Sequence, residues 1–310
     1  MPIEVSNANR IVFPEIGRTK GDVVAYYERI APRLLPHVAG RPLSIRRFPK
    51  GLSAPGFFQK NVPPHYPESI TRHSVPRQPT KTRKEAVTVY PLLRELEHVP
   101  YLANQGAIEL HVPMARADAA FRPDRLVIDL DPPPGGAARA RRAALIVRDA
   151  LGDLGLESAP MATGSKGYHV VCALAPRVAG EVVAGAAQKL ATLLTARHGD
   201  DLTLAFRVAN RGERVFVDWM RNMPLATVIA RWSLRARPRA TVATPLSWTE
   251  VETTAPDAFS ITDVDRLLER PDTLAELERA PGDGERFVSA VDAAFEASGL
   301  VLQRFDRFRS

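Results

Sequence analysis

The stretch that most limits what this chain can be is RLVIDLDPPP, Arg125–Pro134. Leu126, Val127, Ile128 and Leu130 suit a buried strand, and the proline run after Asp131 ends it. Side chains two residues apart on a strand share a face, so Asp129 and Asp131 project together. Two ionised carboxylates that close repel each other, and burial worsens the repulsion. A divalent cation removes that cost. Mg²⁺ and Mn²⁺ prefer oxygen ligands and bind through carboxylates together with substrate phosphates. The competing possibility, favoured for an isolated DxD, is a pair of strand-end residues that cap the next helix.

Two further stretches shift that balance. RVFVDWMRN, Arg214–Asn222, is again an apolar strand with a carboxylate, Asp218, near its end. Three carboxylates on adjacent strand ends are what two-metal phosphoryl or nucleotidyl transfer needs. The alternative for Asp218 is an ion pair with Arg221 or Arg214. MATGSKGYHVV, Met161–Val171, places Gly164 and Gly167 in a tight turn whose N–H groups can form an anion nest. Lys166 at its tip adds charge for a phosphate, Ser165 adds a donor, and His169 lies on the return strand, opposite in facing to Tyr168. The spacing is not that of a Walker A loop, and a plain hairpin turn is the alternative.

Around these motifs the pattern alternates strands and helices. Helices are expected over Thr19–Leu35, with Thr19 as cap, and over Ala137–Leu154, Glu181–Arg197, Ile261–Glu269 and Glu285–Ser298. Strands are expected at Ala86–Tyr90, Ile108–Val112, Leu126–Asp131 and Val215–Trp219, with a hairpin of Ser158–Ala162 and Tyr168–Leu174. Arg41–Pro79, rich in proline and basic residues, reads as short strands and loops. The hairpin argues for an α+β fold with a mixed or antiparallel sheet. We expect one domain over 1–310: an N-terminal subdomain, 1–123, packed on a catalytic core, 124–255, followed by C-terminal helices, 256–310.

Lys and Arg number 42 against 35 Asp and Glu, a net charge of +7 that suits a polyanionic partner. Cys172 is the sole cysteine, which excludes an intrachain disulfide and a cysteine-cluster zinc site. No apolar run spans a bilayer and the N-terminus carries no hydrophobic signal region, so a cytoplasmic protein with no membrane partner is expected.

DLD, GSKGYH and VFVDW, in this order, resemble motifs I, II and III of the archaeo-eukaryotic primase-polymerases. The likeness is nearest to the polymerase domain of bacterial ligase D, of non-homologous end joining. NANRIVFPEIGRTKGDVVAYY, RPLSIRRFPKG, FFQK, AIELHVP, TGSKGYHVV and SLRARP carry it along most of the chain. The resemblance implies an RRM-like catalytic core flanked by helices, and template-directed nucleotidyl transfer with two Mn²⁺ or Mg²⁺ ions and a nucleoside triphosphate. Asp129, Asp131 and Asp218 are implied as the metal triad. His111, Thr163, Ser165, Lys166, His169, Arg211 and Arg235 are implied around the nucleotide, with Lys166 and Arg235 on the triphosphate and His111 near the sugar. Asn7, Arg10 and Lys20 match a pocket for the 5′-phosphate of gapped or broken DNA, and Phe57 and Phe58 an aromatic pair that stacks on template bases. Without the resemblance, His111 reads as a core histidine and the Phe pair as core.

The activity so implied is gap filling at DNA ends, with a preference for ribonucleotides; a Ku-type end-binding protein and a DNA ligase are the implied partners. Two departures stand out. Arg221 falls where some members carry Gln, and Arg10 replaces a lysine, which keeps the charge and changes the geometry. With no KxDG adenylation motif and no His-rich phosphoesterase module, the chain reads as a stand-alone polymerase or an excised domain. A primase starting chains de novo and a non-catalytic end-binding protein are the rival readings; the intact aspartate set argues against the second.

Overall fold

A computed structural model of the chain describes residues 4–76, 87–119 and 121–302. Two short strands, β1 (Ile11–Phe13) and β2 (Arg18–Thr19), pair and lead into helix α1 (Lys20–Val38). Thr19 caps α1 as the sequence suggests. Its hydroxyl accepts from the N–H of Asp22, whose carboxylate in turn accepts from the N–H of Thr19, a reciprocal capping box. Next come β3 (Ser44–Arg47), β4 (Phe57–Gln59), β5 (Thr71–Pro76), β6 (Val87–Leu92), helix α2 (His98–Asn104) and β7 (Ala107–Pro113). Residues 77–79 of the expected loop region and Ala86 lie outside the described residues.

The chain then runs through β8 (Arg125–Asp131), α3 (Ala137–Asp153), β9 (Ala159–Ala162), β10 (Tyr168–Ala173), α4 (Gly180–Arg197), β11 (Leu202–Thr203) and β12 (Val215–Asp218). Strand β13 (Thr227–Ile229), β14 (Thr244–Pro245) and helices α5 (Trp248–Val251), α6 (Val264–Glu269), α7 (Thr273–Leu277) and α8 (Gly284–Ser298) follow.

The six-stranded sheet has the order β11-β12-β8-β10-β9-β14, antiparallel throughout except for β11 against β12. The run β8-α3-β9-β10-α4-β12, with β8 between β12 and β10, is the split βαβ arrangement of RRM-like folds. The α+β expectation with a largely antiparallel sheet therefore holds. Helix α3 packs on β8, β10 and β12. It does so through Ala140, Ala143, Ala144, Val147 and Leu151, whose spacing puts them on one helical stripe. By the alternation of strands, the odd-numbered residues of β8 face away from the even-numbered ones, and that leaves Asp129 and Asp131 together on one side.

A second sheet, β13-β7-β3-β4, is antiparallel. Its outer strand β13 comes from the segment after β12, so the later chain completes a sheet begun by the earlier one. A continuous cluster of buried apolar side chains extends from Val12 to Val291. Tyr26 and Tyr27 of α1 tie it to the later chain and to β7, donating to the carbonyls of Trp232 at 2.8 Å and Ile108 at 2.5 Å.

Candidate active site

The strand register sets out the centre. Asp129 on β8 lies opposite Asp218 on β12 and opposite His169 on β10. Opposed residues on antiparallel strands hold their Cβ atoms about 5 Å apart, so a row of two carboxylates and an imidazole crosses three strands, with Asp131 two residues further along β8. Strand β12 ends here for a definite reason. Beyond Asp218 the chain turns, and the Asn222 carboxamide takes over the pairing of β8: Oδ1 accepts from the N–H of Val127 at 2.9 Å and Nδ2 donates to its carbonyl at 2.7 Å. The Asp218 carboxylate accepts from the N–H of Met220 at 3.0 Å and caps the turn.

That turn delivers Arg221 between the two carboxylates. Its Nε is 3.2 Å from Asp129 Oδ2 and 3.0 Å from Asp218 Oδ2. The ion pair weighed for Asp218 thus forms, without removing Asp218 from the row. Asp129 also faces His169 Nε2 at 3.4 Å. Burial works to raise the Asp129 carboxyl, but His169 and Arg221 beside it outweigh burial and hold it down at about 2. Burial pushes Asp218 up to about 6, against Arg221 and with the help of Asp129 and Asp131. Asp131 is raised as well, by burial and by the charge of Asp129. Among the described residues, no three His, Cys, Asp or Glu side chains are poised to hold a metal ion as they stand. The donor set still fits one: all-oxygen, clustered, and already drawing a cation into its midst in the form of the Arg221 guanidinium. Asp129, Asp131 and Asp218 are the residues that would hold an ion once Arg221 swings aside.

The row opens into a cleft of about 530 Å³, lined by six cations (Arg46, Lys166, Arg211, Arg221, Arg235 and Arg237) and three carboxylates (Glu109, Asp129 and Asp131). That size is in the range of small-ligand sites, and the surplus of cations suits a polyphosphate. His111, Thr163, Ser165 and His169 line it too, so all seven residues expected around a nucleotide meet in one cleft.

The GSKG hairpin forms one wall, and its glycines are needed there. Gly164 has φ +65°, and a Cβ on Gly167 would lie 1.8 Å from the Leu130 carbonyl oxygen. Two of the amides expected to face an anion in this turn are engaged within the protein. The N–H of Gly164 donates to Pro256 at 2.9 Å and that of Ser165 to Thr163 Oγ1 at 3.3 Å, while the Thr163 hydroxyl donates to the Gly167 carbonyl. With those amides engaged, Lys166 carries the positive charge on this wall, and Thr163 serves as a brace. The Ser165 hydroxyl accepts from Arg237 at 2.8 Å.

Arg211 is held by the carbonyls of Ala205 and Phe206, each at 3.0 Å, and stacked 4.0 Å from the Phe216 ring centroid. Its Nη1 is 4.0 Å from Asp131. Arg235 follows a strained residue. Trp232 has φ +66°, costly for a bulky side chain. Arg33 stacks over its ring at 4.2 Å and Asp272 accepts from its indole N–H at 3.2 Å.

Of the other expected residues, Phe58 lines this cleft too, whereas Asn7, Arg10 and Lys20 sit apart from it. Asn7, Arg10 and Lys20 line a pocket of about 190 Å³ together with Ser6 and Arg47. Lys20 is only 7% exposed, and its ammonium donates to the Ser6 carbonyl at 2.7 Å and to the Ser6 hydroxyl at 2.8 Å. Burial lowers its pKa, and Arg10 adds to the effect. Arg10 donates to the Pro49 carbonyl. Phe57 and Phe58 are 49% and 57% exposed, not core. The Arg47 guanidinium is 5.7 Å from the Phe57 ring centroid, and Phe58 stands edge-on to His111 with centroids 5.3 Å apart.

The sequence reading passed over Arg46, Glu109 and Arg237. For Glu109 a signal existed: it stands two residues before His111 in AIELHVP, the same i, i+2 relation that singled out Asp129 and Asp131.

A mixed sheet carrying an aspartate row at its strand ends, beside a cation-lined cleft, defines a protein of the primase-polymerase class. The family model described as "LigD, primase-polymerase domain" matches residues 19–274, and the chain belongs to that family. It is 33% identical over 290 residues to the multifunctional non-homologous end joining DNA repair protein LigD of Mycobacterium tuberculosis, covering 91% of this chain and 37% of the relative. It is 27% identical over 285 residues to the bifunctional non-homologous end joining protein LigD of Bacillus subtilis, covering 91% and 45%. The chain thus spans less than half of these relatives' length. The polymerase domain of M. tuberculosis ligase D, solved in complex with DNA, superposes with a TM-score of 0.81 at 32% identity, covering 90% of this chain and 99% of that domain.

Proposed function

We propose that the chain is a template-directed nucleotidyltransferase that extends primers and fills short gaps at DNA ends, with ribonucleotides preferred. The observation that carries this reading is that Asp129 and Asp131 line the same cleft as Lys166, Arg211 and Arg235, with Asp218 in register beside Asp129. Two divalent ions, Mg²⁺ or Mn²⁺, bound to the three aspartates would help the primer 3′-hydroxyl attack and neutralise the leaving pyrophosphate. The bond formed is 3′-oxygen to α-phosphorus, and the bond broken joins the α-phosphorus to the bridging oxygen. Lys166 and Arg235 grip the triphosphate, and Arg211, fixed by two carbonyls and a ring, holds its charge against Asp131. His111 meets the sugar. Such a reaction asks the protein for positioning and charge more than for acid–base chemistry.

The pocket of Asn7, Arg10 and Lys20 would take the 5′-phosphate across a gap, and the exposed Phe57 and Phe58 would stack on template bases. The segment before residue 123 would then hold the end-binding pocket and also give Glu109 and His111 to the nucleotide cleft. A Ku-type end-binding protein and a DNA ligase are the partners that the relatives' role in end joining suggests. Among the described residues no helix is long and apolar enough to cross a membrane.

The test is incubation with Mn²⁺ and ribo- or deoxynucleotides on two substrates: a gapped, 5′-phosphorylated duplex and an unprimed template. Extension confined to the gapped duplex supports the reading. Efficient synthesis on the unprimed template makes the chain a primase, and binding without synthesis on either makes it an end-binding protein.

A further inference from the structure

Glu109 is a buried carboxylate at the back of the cleft, 1% exposed, on a strand whose every residue is buried. A charge in such a place needs partners on all sides, and it has them. Oε2 is 2.9 Å from His111 Nε2. Oε1 accepts from the N–H of Ala236 at 2.9 Å and lies 3.4 Å from Arg46 Nη1 and 3.5 Å from Arg235 Nε. The Arg235 contact is charge without alignment, because its Nε has no hydrogen-bonded acceptor. One carboxylate thus links the residue expected at the sugar with the residue expected at the triphosphate.

The chemistry of that link has a direction. Burial works to raise the Glu109 carboxyl, but His111 and Arg235 hold it down at about 2, so at neutral pH it is ionised and can only accept. The proton between Glu109 and His111 therefore belongs to the ring, on Nε2. Burial also lowers the His111 pKa against the pull of Glu109, so the ring is neutral, with a lone pair on Nδ1. Among the described residues Nδ1 has no partner, and His111 lines the cleft.

We propose that Glu109 is a positioning residue that fixes His111 in the Nε2–H tautomer, so that Nδ1 faces the cleft as an acceptor and selects a sugar whose 2′-group can donate a hydrogen bond. This rests on the nucleotidyltransferase reading and gives its ribonucleotide preference a polarity. A 2′-hydroxyl donates to Nδ1. A 2′-hydrogen does not, and a 2′-fluorine accepts only. Through Arg235 the same carboxylate ties sugar selection to the placing of the triphosphate.

Two measurements test it. The first is ¹⁵N NMR of histidine-labelled protein, with the His111 signals among the seven histidines identified by their loss in His111→Gln. We expect a protonated Nε2 and an unprotonated Nδ1 in the native chain. In Glu109→Gln, whose amide can donate to Nε2, we expect proton density to move to Nδ1. The second is single-nucleotide incorporation by the native chain using ATP, dATP, 2′-fluoro-2′-deoxy-ATP and 2′-amino-2′-deoxy-ATP. The lost hydrogen bond corresponds to roughly a tenfold fall in kcat/KM for dATP and for the fluoro analogue alike, with the amino analogue, a donor, close to ATP. In Glu109→Gln the ATP-to-dATP ratio should shrink toward unity. A protonated Nδ1 in the native chain overturns the proposal. So does use of the fluoro analogue as good as that of ATP, or equal use of ATP and dATP. A native chain that extends nothing removes the nucleotidyltransferase reading instead, while the NMR result still decides the tautomer.

Discussion

Arg221→Gln is the perturbation that bears hardest on the aspartate row. Arg221 Nε sits 3.2 Å from Asp129 and 3.0 Å from Asp218. The two carboxylates are buried and the guanidinium side chain is 41% exposed. Removing one partner of a fully buried pair costs about 3–5 kcal/mol, whereas an exposed pair contributes about 0–1 kcal/mol. A part-exposed cation serving two buried anions falls between, and with the discount for solvent we take about 2 kcal/mol. In EDTA the variant should therefore melt lower by about 4 °C, the smaller end of the usual conversion, since the chain is long. Metal reverses the order. In the native chain an incoming ion must displace Arg221; in the variant it need not, so Mn²⁺ should bind up to about 30-fold more tightly and restore the melting temperature. Differential scanning fluorimetry with EDTA and with Mn²⁺, joined to calorimetric titration of Mn²⁺, reads both effects. An unchanged melting temperature in EDTA together with unchanged Mn²⁺ affinity would refute the idea that Arg221 and a metal compete for one set of oxygens.

Two other outcomes are expected. Removing the 5′-phosphate from a gapped duplex should weaken binding at least several-fold at low salt, as the loss of a charge-assisted hydrogen bond of about 1.5–3 kcal/mol implies; the preference should fade as salt rises and vanish in Lys20→Ala, read by fluorescence anisotropy, and equal affinities at low salt would show that the pocket takes no phosphate. Glu109 supplies a pH dependence: its carboxyl is depressed from the ordinary 4.5 to about 2, so its stabilising effect is complete above pH 4.5 and is lost as pH falls toward 2. The gap of 2.5 corresponds to on the order of 3 kcal/mol, so the stability advantage of the native chain over Glu109→Gln in urea titrations should narrow across that window; a constant difference would contradict it.

Much of this architecture was legible in the sequence because local rules decided it. Thr19 marks the start of α1 as its cap, and the apolar runs around Asp129 and Asp218 put those residues at strand ends. Period-2 alternation put Asp129 and Asp131 on one face before any register was known. What the sequence withheld depends on contacts between distant segments. Nothing local says that β13 joins the sheet of β7, that Asn222 replaces a strand partner for Val127, or that Pro256 takes the amide of Gly164. Nor does anything local say that Lys20, matched to a phosphate pocket by resemblance, is buried because the loop around Ser6 folds over it. Arg221 stood out as an odd residue in a motif and as one possible partner of Asp218; that it also reaches Asp129 follows from the turn that Asn222 pins in place.

The central claim is that the three aspartates are where nucleotidyl transfer occurs. Asp129→Asn and Asp218→Asn keep side-chain size and remove one charge each. The deciding measurement is single-nucleotide incorporation with Mn²⁺ on a gapped, 5′-phosphorylated duplex, run beside DNA binding by the same proteins. Either substitution should abolish incorporation while binding stays close to native, because the phosphate contacts come from other residues. Incorporation at a near-native rate by either variant would contradict the claim and place the chemistry elsewhere.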